Sequence, residues 1–183
     1  MVKGPLLVLL TGPVGAGKST TALALAGHLR KVGRSVAVID LDQVYCMVRQ
    51  LEGFSEAAGW DAARRGAAAL ADSFFASGLD VVIVEGEFFT PDECRQLRDH
   101  LDSEPEEICF TLMVSYEQVL QRAQGDLTRG ASRDPKFLKW LHDNFVIAIP
   151  YLEKVSVLVQ ADHPSSEDVA AFIAEAVLAG AHG

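Results

Sequence analysis

Short apolar runs alternate with longer segments of helical periodicity along this chain. The apolar runs have the length of buried strands, five to seven residues each, and they lie at 5–11, 35–39, 80–84, 108–114 and 155–159. Their hydrophobicity is nearly continuous, without the alternation of a strand that is exposed on one face. Such runs are typical of a parallel sheet that is covered on both faces.

The segments between these runs predict helices. They cover 18–32, 41–51, 61–77 and 165–178, and further helices start at 90–93, at 115–118 and at 134–135. This alternation of strands and helices predicts a three-layer α/β/α fold with a parallel sheet in the middle layer. No repeat or long linker divides the sequence, so we expect residues 1–183 to form a single domain.

Charge and composition narrow the range of partners. The formal net charge is −9, and because this field repels phosphate polyanions, nucleic acid is a disfavoured partner. The three cysteines are far apart in sequence, which favours buried thiols in a reducing compartment. The first apolar run is too short to span a membrane, and no signal-peptide pattern is present. We therefore expect a cytoplasmic protein; the oligomeric state stays open.

A phosphate-binding loop follows the first predicted strand. The segment reads Gly12-Pro13-Val14-Gly15-Ala16-Gly17-Lys18-Ser19 and fits G-x-x-x-x-G-K-[ST] at every fixed position. It lies between an apolar strand and a helix, the context in which this motif binds nucleoside triphosphates. The motif predicts ATP and Mg²⁺ as ligands, with Lys18 at the β- and γ-phosphates, Ser19 at Mg²⁺ and Thr20 near the α-phosphate.

The class of P-loop protein is narrowed by two absent motifs. There is no Asn-Lys-x-Asp guanine motif and no Leu-Ser-Gly-Gly-Gln stretch. The chain resembles the P-loop small-molecule kinases, which include shikimate, gluconate and adenylylsulfate kinases, chloramphenicol phosphotransferase and polynucleotide 5′-kinases. This resemblance implies a five-stranded sheet in the order 2-3-1-4-5 and phosphoryl transfer to a small hydroxylated acceptor.

Two aspartates follow the second strand. By resemblance, Asp42 is the catalytic base that takes the proton of the acceptor hydroxyl, and Asp40 holds a magnesium-bound water. The carboxyl ends of parallel strands face the ligand crevice, and a carboxylate near the acceptor hydroxyl suits general base catalysis. The alternative interpretation makes Asp42 the N-cap of the following helix.

Two glutamates follow the third strand. Glu85 stands directly after the apolar run, where a magnesium-coordinating carboxylate is expected, although related kinases more often have Asp or a Gly-rich turn there. Glu87 either points toward the acceptor pocket or lies in a solvated loop. If both carboxylates face the pocket together with Asp42, the charge favours a neutral polyol, a nucleoside or a cationic amino sugar over a carboxylate acceptor.

An arginine-containing segment at about 124–134 corresponds to the lid of these kinases. Arg122 and Arg129 are predicted to contact the phosphates of ATP and to assist catalysis, and the role of Arg133 is open. Arginines on such a flap can stabilise charge on the transferred phosphoryl group. The alternative is a set of surface arginines paired with Asp126 and Asp134. The segment 160–164 lies where the family holds adenine.

The resulting hypothesis is an ATP:alcohol phosphotransferase with a small polyol, nucleoside or antibiotic-like acceptor. The alternative is a nucleotide-binding switch protein that hydrolyses ATP slowly and has no small-molecule acceptor. Tyr45, Arg49, Trp60 and Arg64 belong to the segment that covers the acceptor in the resembling kinases, and Trp60 is equally compatible with a core position. The sequence does not identify the acceptor.

Overall fold

A five-stranded parallel sheet forms the centre of the fold. The computed structural model describes residues 4–48, 55–125 and 130–180. The strands are β1 (Leu6–Thr11), β2 (Val36–Asp40), β3 (Val81–Glu85), β4 (Glu106–Met113) and β5 (Val157–Gln160). Their order in the sheet is β2-β3-β1-β4-β5, and every neighbouring pair is parallel. The predicted three-layer fold and strand order are confirmed.

Helices cover both faces of the sheet. They are α1 (Lys18–Lys31), α2 (Leu41–Cys46), α3 (Glu56–Ala76), α4 (Pro91–Arg98), α5 (Tyr116–Gly125), α6 (Pro135–Val155) and α7 (Ser166–Gly180), with a 3-10 turn at Ala131–Arg133. No helix in the described ranges is long and apolar enough to cross a lipid bilayer.

The central strand β1 divides the core into two layers. Leu6, Val8 and Leu10 pack with the layer that contains α1 and α7, whereas Leu7 and Leu9 pack with the layer that contains α3 and α4. All five are nearly or completely buried. This is the two-residue alternation of a strand whose faces are both covered, and it explains why the run is continuously apolar.

Helix α3 begins earlier than the sequence pattern predicts. Ser55 is its N-cap and accepts a hydrogen bond from the backbone N–H of Ala58, so that Gly59 lies inside the helix rather than before it. A Cβ atom on Gly59 would come within 2.9 Å of the Tyr45 ring. The glycine is therefore needed for the close packing of Tyr45 on α3, which no local propensity indicates.

Helix α2 is shorter than predicted. It ends at Cys46, and a turn at Met47 and Val48 follows it. The rest of the predicted helix, together with Arg49, lies outside the described residues.

Candidate active site

The P-loop, Asp40 and Glu85 lie at the carboxyl ends of β1, β2 and β3, which are neighbouring strands of the sheet. Asp40 at the end of β2 is the register partner of Glu85 at the end of β3, and Leu10 of β1 is the partner of Glu85 on the other side. The P-loop leaves β1 two residues after Leu10. In open α/β sheets this edge is where ligands bind.

The P-loop has the backbone of an anion cradle. Gly12, Gly15 and Gly17 have φ angles of 149°, 87° and 91°, a region that side chains with a Cβ rarely enter. A Cβ on Gly12 would also lie 2.8 Å from the Leu112 carbonyl oxygen. Gly17 immediately precedes α1, so the unpaired amides and positive dipole end of this helix open onto the loop.

The P-loop surrounds a cavity of about 150 Å³ that has the polar lining a triphosphate requires. The lining residues are Val14, Gly15, Gly17, Lys18, Ser19, Thr20, Asp42 and Glu85. Lys18 is buried, and its ammonium group donates to the carbonyl oxygens of Gly12 and Pro13 at 3.0 and 3.3 Å. The ammonium thus lies inside the loop, where phosphates would compete for it.

Pro13 and Ala16, two of the predicted nucleotide-binding residues, stabilise the shape of the P-loop by a contact with each other. The backbone N–H of Ala16 donates to the carbonyl oxygen of Pro13 at 3.0 Å. Neither residue is part of the cavity lining. Their direct contact with the nucleotide stays a prediction, whereas their contribution to loop shape is visible.

The cap of α2 is Asp40, and the interpretation of Asp42 as the N-cap is wrong. The Asp40 carboxylate accepts a hydrogen bond from the backbone N–H of Gln43 at 3.1 Å. Asp42 is therefore the second residue of the helix, and its side chain is free to line the P-loop cavity. The surrounding protein atoms raise the pKa of Asp42, Lys18 opposes this and Asp40 adds to it. Because the side chain is still exposed to solvent, these effects are screened.

Glu85 is the most unusual carboxyl of the site. Only 2% of its surface is exposed, and its Oε1 atom has no hydrogen-bond partner among the described residues. Burial raises its pKa to about 7, against the opposing effects of Ser19 and Lys18, and the charges of Asp40 and Asp42 act in the same direction as burial. A buried, unpartnered oxygen of this kind suits a cation that arrives with the nucleotide.

The residues predicted to bind magnesium fit that role only with help from the substrate. Ser19 lies at the start of α1, next to the ends of β2 and β3 that carry Asp40 and Glu85. In the described ranges, no three His, Cys, Asp or Glu side chains are close enough together to hold a metal ion. Mg²⁺ typically binds one or two protein ligands together with phosphate oxygens and waters, so this donor set is compatible with it.

The raised pKa of Glu85 makes stability depend on pH. The folded protein binds this proton more tightly than the unfolded chain, whose glutamate has a pKa of 4.5. The protonated form therefore stabilises the fold at pH 4.5 and below, and this stabilisation is lost as the pH rises to about 7, by about 3 kcal/mol. We expect Glu85→Gln to reduce the loss of stability between pH 5.5 and 8, as measured by urea unfolding without nucleotide. The exposed Glu104→Gln is the control, and an identical pH dependence in all three proteins would contradict the burial argument.

Arg122 joins the P-loop to the predicted adenine segment. Its guanidinium group donates to the carbonyl oxygen of Ala16 at 3.1 Å, to that of Ala161 at 2.7 Å and to that of Asp162 at 3.1 Å. The predicted contact of Arg122 with the phosphates stays a prediction. The contacts that are present indicate a residue that holds the two sides of the nucleotide site together.

Only part of the predicted lid lies within the described residues. Arg129 lies outside them. Arg133 ends the 3-10 turn and is exposed, and Asp134 caps α6 by accepting from the backbone N–H groups of Lys136 and Phe137. The roles of Arg129 and Arg133 thus stay predictions.

The two arginines are expected to differ in their effects. Because Arg122 holds the loops on both sides of the nucleotide, we expect Arg122→Ala to weaken ADP and ATP binding alike, by roughly 10-fold. Arg129→Ala should lower turnover and leave ADP affinity unchanged, as expected of a lid arginine that acts in the transition state. Calorimetric affinities and steady-state rates would separate the two roles. If Arg122→Ala binds ADP as tightly as the parent protein, Arg122 does not hold the two loops together, and its predicted role as a lid arginine is favoured instead.

A second cavity lies between α3, α4 and the β3–α4 connection. We call it the α3–α4 cavity; its volume is about 270 Å³. It is lined by Ala57, Trp60, Arg64, Glu87, Glu93 and Gln96. Of the residues assigned to the acceptor segment, Trp60 and Arg64 line it, while Tyr45 stacks on Trp60 with ring centroids 4.0 Å apart. Glu87 also lines it and is half-buried, so the solvated-loop interpretation of Glu87 is not supported.

Two residues of this cavity were not predicted from the sequence. Gln96 and Glu93, one helical turn apart on α4, both bind Arg64. Glu93 also forms a capping box with Thr90 at the start of α4. One carboxylate oxygen makes the capping contacts with Phe89 and Thr90, and the other faces Arg64. The spacing of Glu93 and Gln96 on one helix face was the available signal.

The sequence matches the family described as adenylylsulphate kinase over residues 4–136. Among curated proteins, a signal recognition particle 54 kDa protein from Pyrobaculum arsenaticum is 36% identical over 96 residues. That match covers 45% of this chain and 21% of the relative, so the chain spans about a fifth of that protein's length.

Several solved structures share the whole fold. Shikimate kinase from Acinetobacter baumannii has a TM-score of 0.65 and 22% identity, covering 98% of this chain and 96% of that one. The Deinococcus radiodurans tunicamycin resistance protein has a TM-score of 0.62 at 18% identity, covering 96% of both chains. A gluconokinase from Sinorhizobium meliloti 1021 has a TM-score of 0.62 at 16% identity, covering 98% of both. At these identities the likeness shows the fold alone.

The family match extends from the start of β1 through the P-loop and both strand-end carboxylates, and the chain therefore belongs to the adenylylsulphate kinase family of P-loop kinases.

Proposed function

We propose that this protein transfers the γ-phosphoryl group of ATP to a hydroxyl group of a small acceptor bound in the α3–α4 cavity. One observation carries the proposal. Asp42 lines the P-loop cavity, and its charge acts on Glu87 in the lining of the α3–α4 cavity. A carboxylate of one cavity is thus close enough to a carboxylate of the other for their charges to interact, and this proximity supports a transfer between substrates bound in the two cavities.

The reaction needs little covalent chemistry from the protein. The acceptor oxygen forms a bond to the γ-phosphorus while the bond from that phosphorus to the β–γ bridging oxygen breaks. The hydroxyl proton passes to the Asp42 carboxylate, and ADP leaves. Such reactions depend on positioning and on stabilisation of charge. Here the P-loop amides and Lys18 would hold the triphosphate.

Asp42 is suited to the role of base by its surroundings. The protein atoms around it raise its pKa above the usual range, with Lys18 opposing the shift. A carboxylate whose pKa is raised holds a proton more tightly than usual, which makes it a better base for a hydroxyl group. Its position in the first turn of α2 also fixes it on a rigid element.

Magnesium would be held by Ser19 together with the phosphates, with Asp40 and Glu85 on its protein side. When bound, it neutralises charge on the phosphate oxygens. The carboxylates of Asp40 and Glu85 favour the binding of a cation at this edge of the sheet.

A screen for acceptor-dependent ADP release tests the proposal. The protein would be supplied with MgATP and with single hydroxylated compounds that include sugars, polyols, nucleosides, amino alcohols and antibiotics. We expect at least one compound to raise ADP release above the background rate and to gain one phosphate by mass. If ATP binds but no compound is phosphorylated, the switch-protein alternative replaces this proposal.

A further inference from the structure

Among the described residues, Arg64 is the one cationic side chain in the lining of the α3–α4 cavity, and its charge is already paired. Arg64 is 5% exposed; one terminal nitrogen donates to Gln96 at 2.9 Å, and the other forms an ion pair with Glu93 at 3.2 Å. Its Nε–H is buried and has no partner among the described residues. This leaves one guanidinium N–H without an acceptor, and because the charge of Arg64 is paired with Glu93, a neutral acceptor atom such as a hydroxyl oxygen is sufficient for it.

Glu87 supplies the opposite kind of group. Its neighbours fix it in place: the backbone N–H of Gly86 donates to the Leu10 carbonyl oxygen at 3.1 Å, and that of Phe88 donates to the Thr11 hydroxyl at 3.0 Å. Within residues 4–48, 55–125 and 130–180, no basic side chain forms an ion pair with Glu87. A fixed, half-buried carboxylate is thus left for a ligand.

The charges around Glu87 make a cation the best ligand. Glu87 shares the cavity lining with a second carboxylate, Glu93, whose charge is already paired with Arg64. Carboxylates that crowd together in this way repel an anion and attract a cation. The cavity lining contributes one positive and two negative side chains, so an acceptor carboxylate or phosphate would find no free positive partner among the described residues.

The remaining wall is apolar and flat. Trp60 is held by Tyr45, whose ring lies parallel to it within 6°, and Arg64 lies 5.8 Å from the centre of the indole ring. An aromatic ring of this kind packs against the carbon skeleton of a ligand and fixes its orientation.

We infer that the acceptor is an amino alcohol or amino sugar: its protonated amine binds Glu87, an oxygen accepts from the Arg64 Nε–H, and the reacting hydroxyl lies at Asp42. This inference rests on the proposed phosphotransferase function and narrows it. The amine would form a charge-assisted hydrogen bond in a partly desolvated site, which is among the stronger polar contacts that proteins make.

The test first compares acceptors of different charge and then replaces the amino group of an acceptor while the rest of the molecule is kept. The probes are matched sets with the same carbon skeleton, such as glucosamine, glucose and N-acetylglucosamine, together with carboxylate-bearing acceptors such as gluconate. We expect the compounds with the highest kcat/KM to carry a free amine and to lose roughly 10²-fold when the amine is acetylated or replaced by hydroxyl.

A variant then connects this preference to Glu87. Glu87→Gln should lower kcat/KM for the best amine about 10²-fold and leave its deaminated analogue nearly unchanged, because the interaction removed is already absent there. The control is Glu104→Gln, which removes one negative charge from an exposed position that does not line the cavity.

The possible failures are distinguishable. If a neutral or carboxylate-bearing acceptor has the highest kcat/KM, the phosphotransferase function stands and the amine inference is overturned. Equal losses in Glu87→Gln for the amine and its deaminated analogue would overturn it as well, since Glu87 would then serve the pocket rather than the amine. If no compound accelerates ADP release, the proposed function itself fails, and the amine inference fails with it.

Discussion

Lys18→Ala will lower phosphoryl transfer by roughly 10²–10³-fold and weaken ATP binding. The ammonium group is buried in the P-loop and lines the cavity in which the phosphates are expected. No other described basic side chain lines this cavity, so nothing in the lining replaces its charge. Because charge on the transferred group and on the leaving ADP oxygen changes during the reaction, the loss should affect turnover as well as affinity.

The fold should tolerate this substitution. Lys18 donates only to carbonyl oxygens of its own loop, Gly12 and Pro13, and alanine is the best helix-forming residue at the start of α1. Far-UV circular dichroism and thermal unfolding would check that the variant is folded, and Lys31→Ala, at the exposed end of the same helix, is the control. Normal turnover in a folded Lys18→Ala protein would show that the transfer site lies elsewhere.

The sequence predicts the placement of the P-loop and of the strand-end carboxylates well because both depend on backbone and on strand ends. A strand followed by Gly12–Ser19 and a helix determines an anion cradle through glycine conformations and helix amides, whatever the distant residues do. Asp40 and Glu85 are likewise placed by their position directly after an apolar run, and they are register partners in the sheet.

The acceptor half was less predictable because it depends on contacts between distant segments. Arg64 and Gln96, for example, are separated by 32 residues, and no local pattern specifies which partner an arginine will find. The choice between Asp40 and Asp42 as the helix cap has a local cause, because an uncertainty of two residues in a helix start is enough to exchange them.

Asp42→Asn will lower phosphorylation of the acceptor by roughly 10²–10⁴-fold, the usual contribution of a positioned general base. Asparagine preserves the shape of the side chain but cannot take a proton from the hydroxyl group. ATP affinity should change little, because the P-loop amides and Lys18 are untouched. The measurements are kcat with the acceptor found in the screen and the affinity for MgATP by calorimetry.

Asp42→Asn is expected to lose activity without a comparable loss of stability. Asp42 does not cap α2, and its negative charge near the helix N-terminus gains about 0.3–1 kcal/mol at most. That gain is opposed by the raised pKa, which reflects the cost of keeping the carboxylate ionised among protein atoms and next to Asp40. The melting temperature of Asp42→Asn should therefore stay close to that of the parent protein. Asp92→Asn, in the exposed first turn of α4, is the matched control for loss of a first-turn charge.

The outcome also separates the two functions considered for this chain. A phosphotransferase needs a proton acceptor beside the γ-phosphate, whereas a switch protein needs only a site that senses the triphosphate. A folded Asp42→Asn protein that binds MgATP normally but no longer phosphorylates its acceptor would place the proton transfer at this carboxylate. A near-normal rate would remove Asp42 from the mechanism, and the proximity of Asp42 to Glu87 would then carry no catalytic meaning.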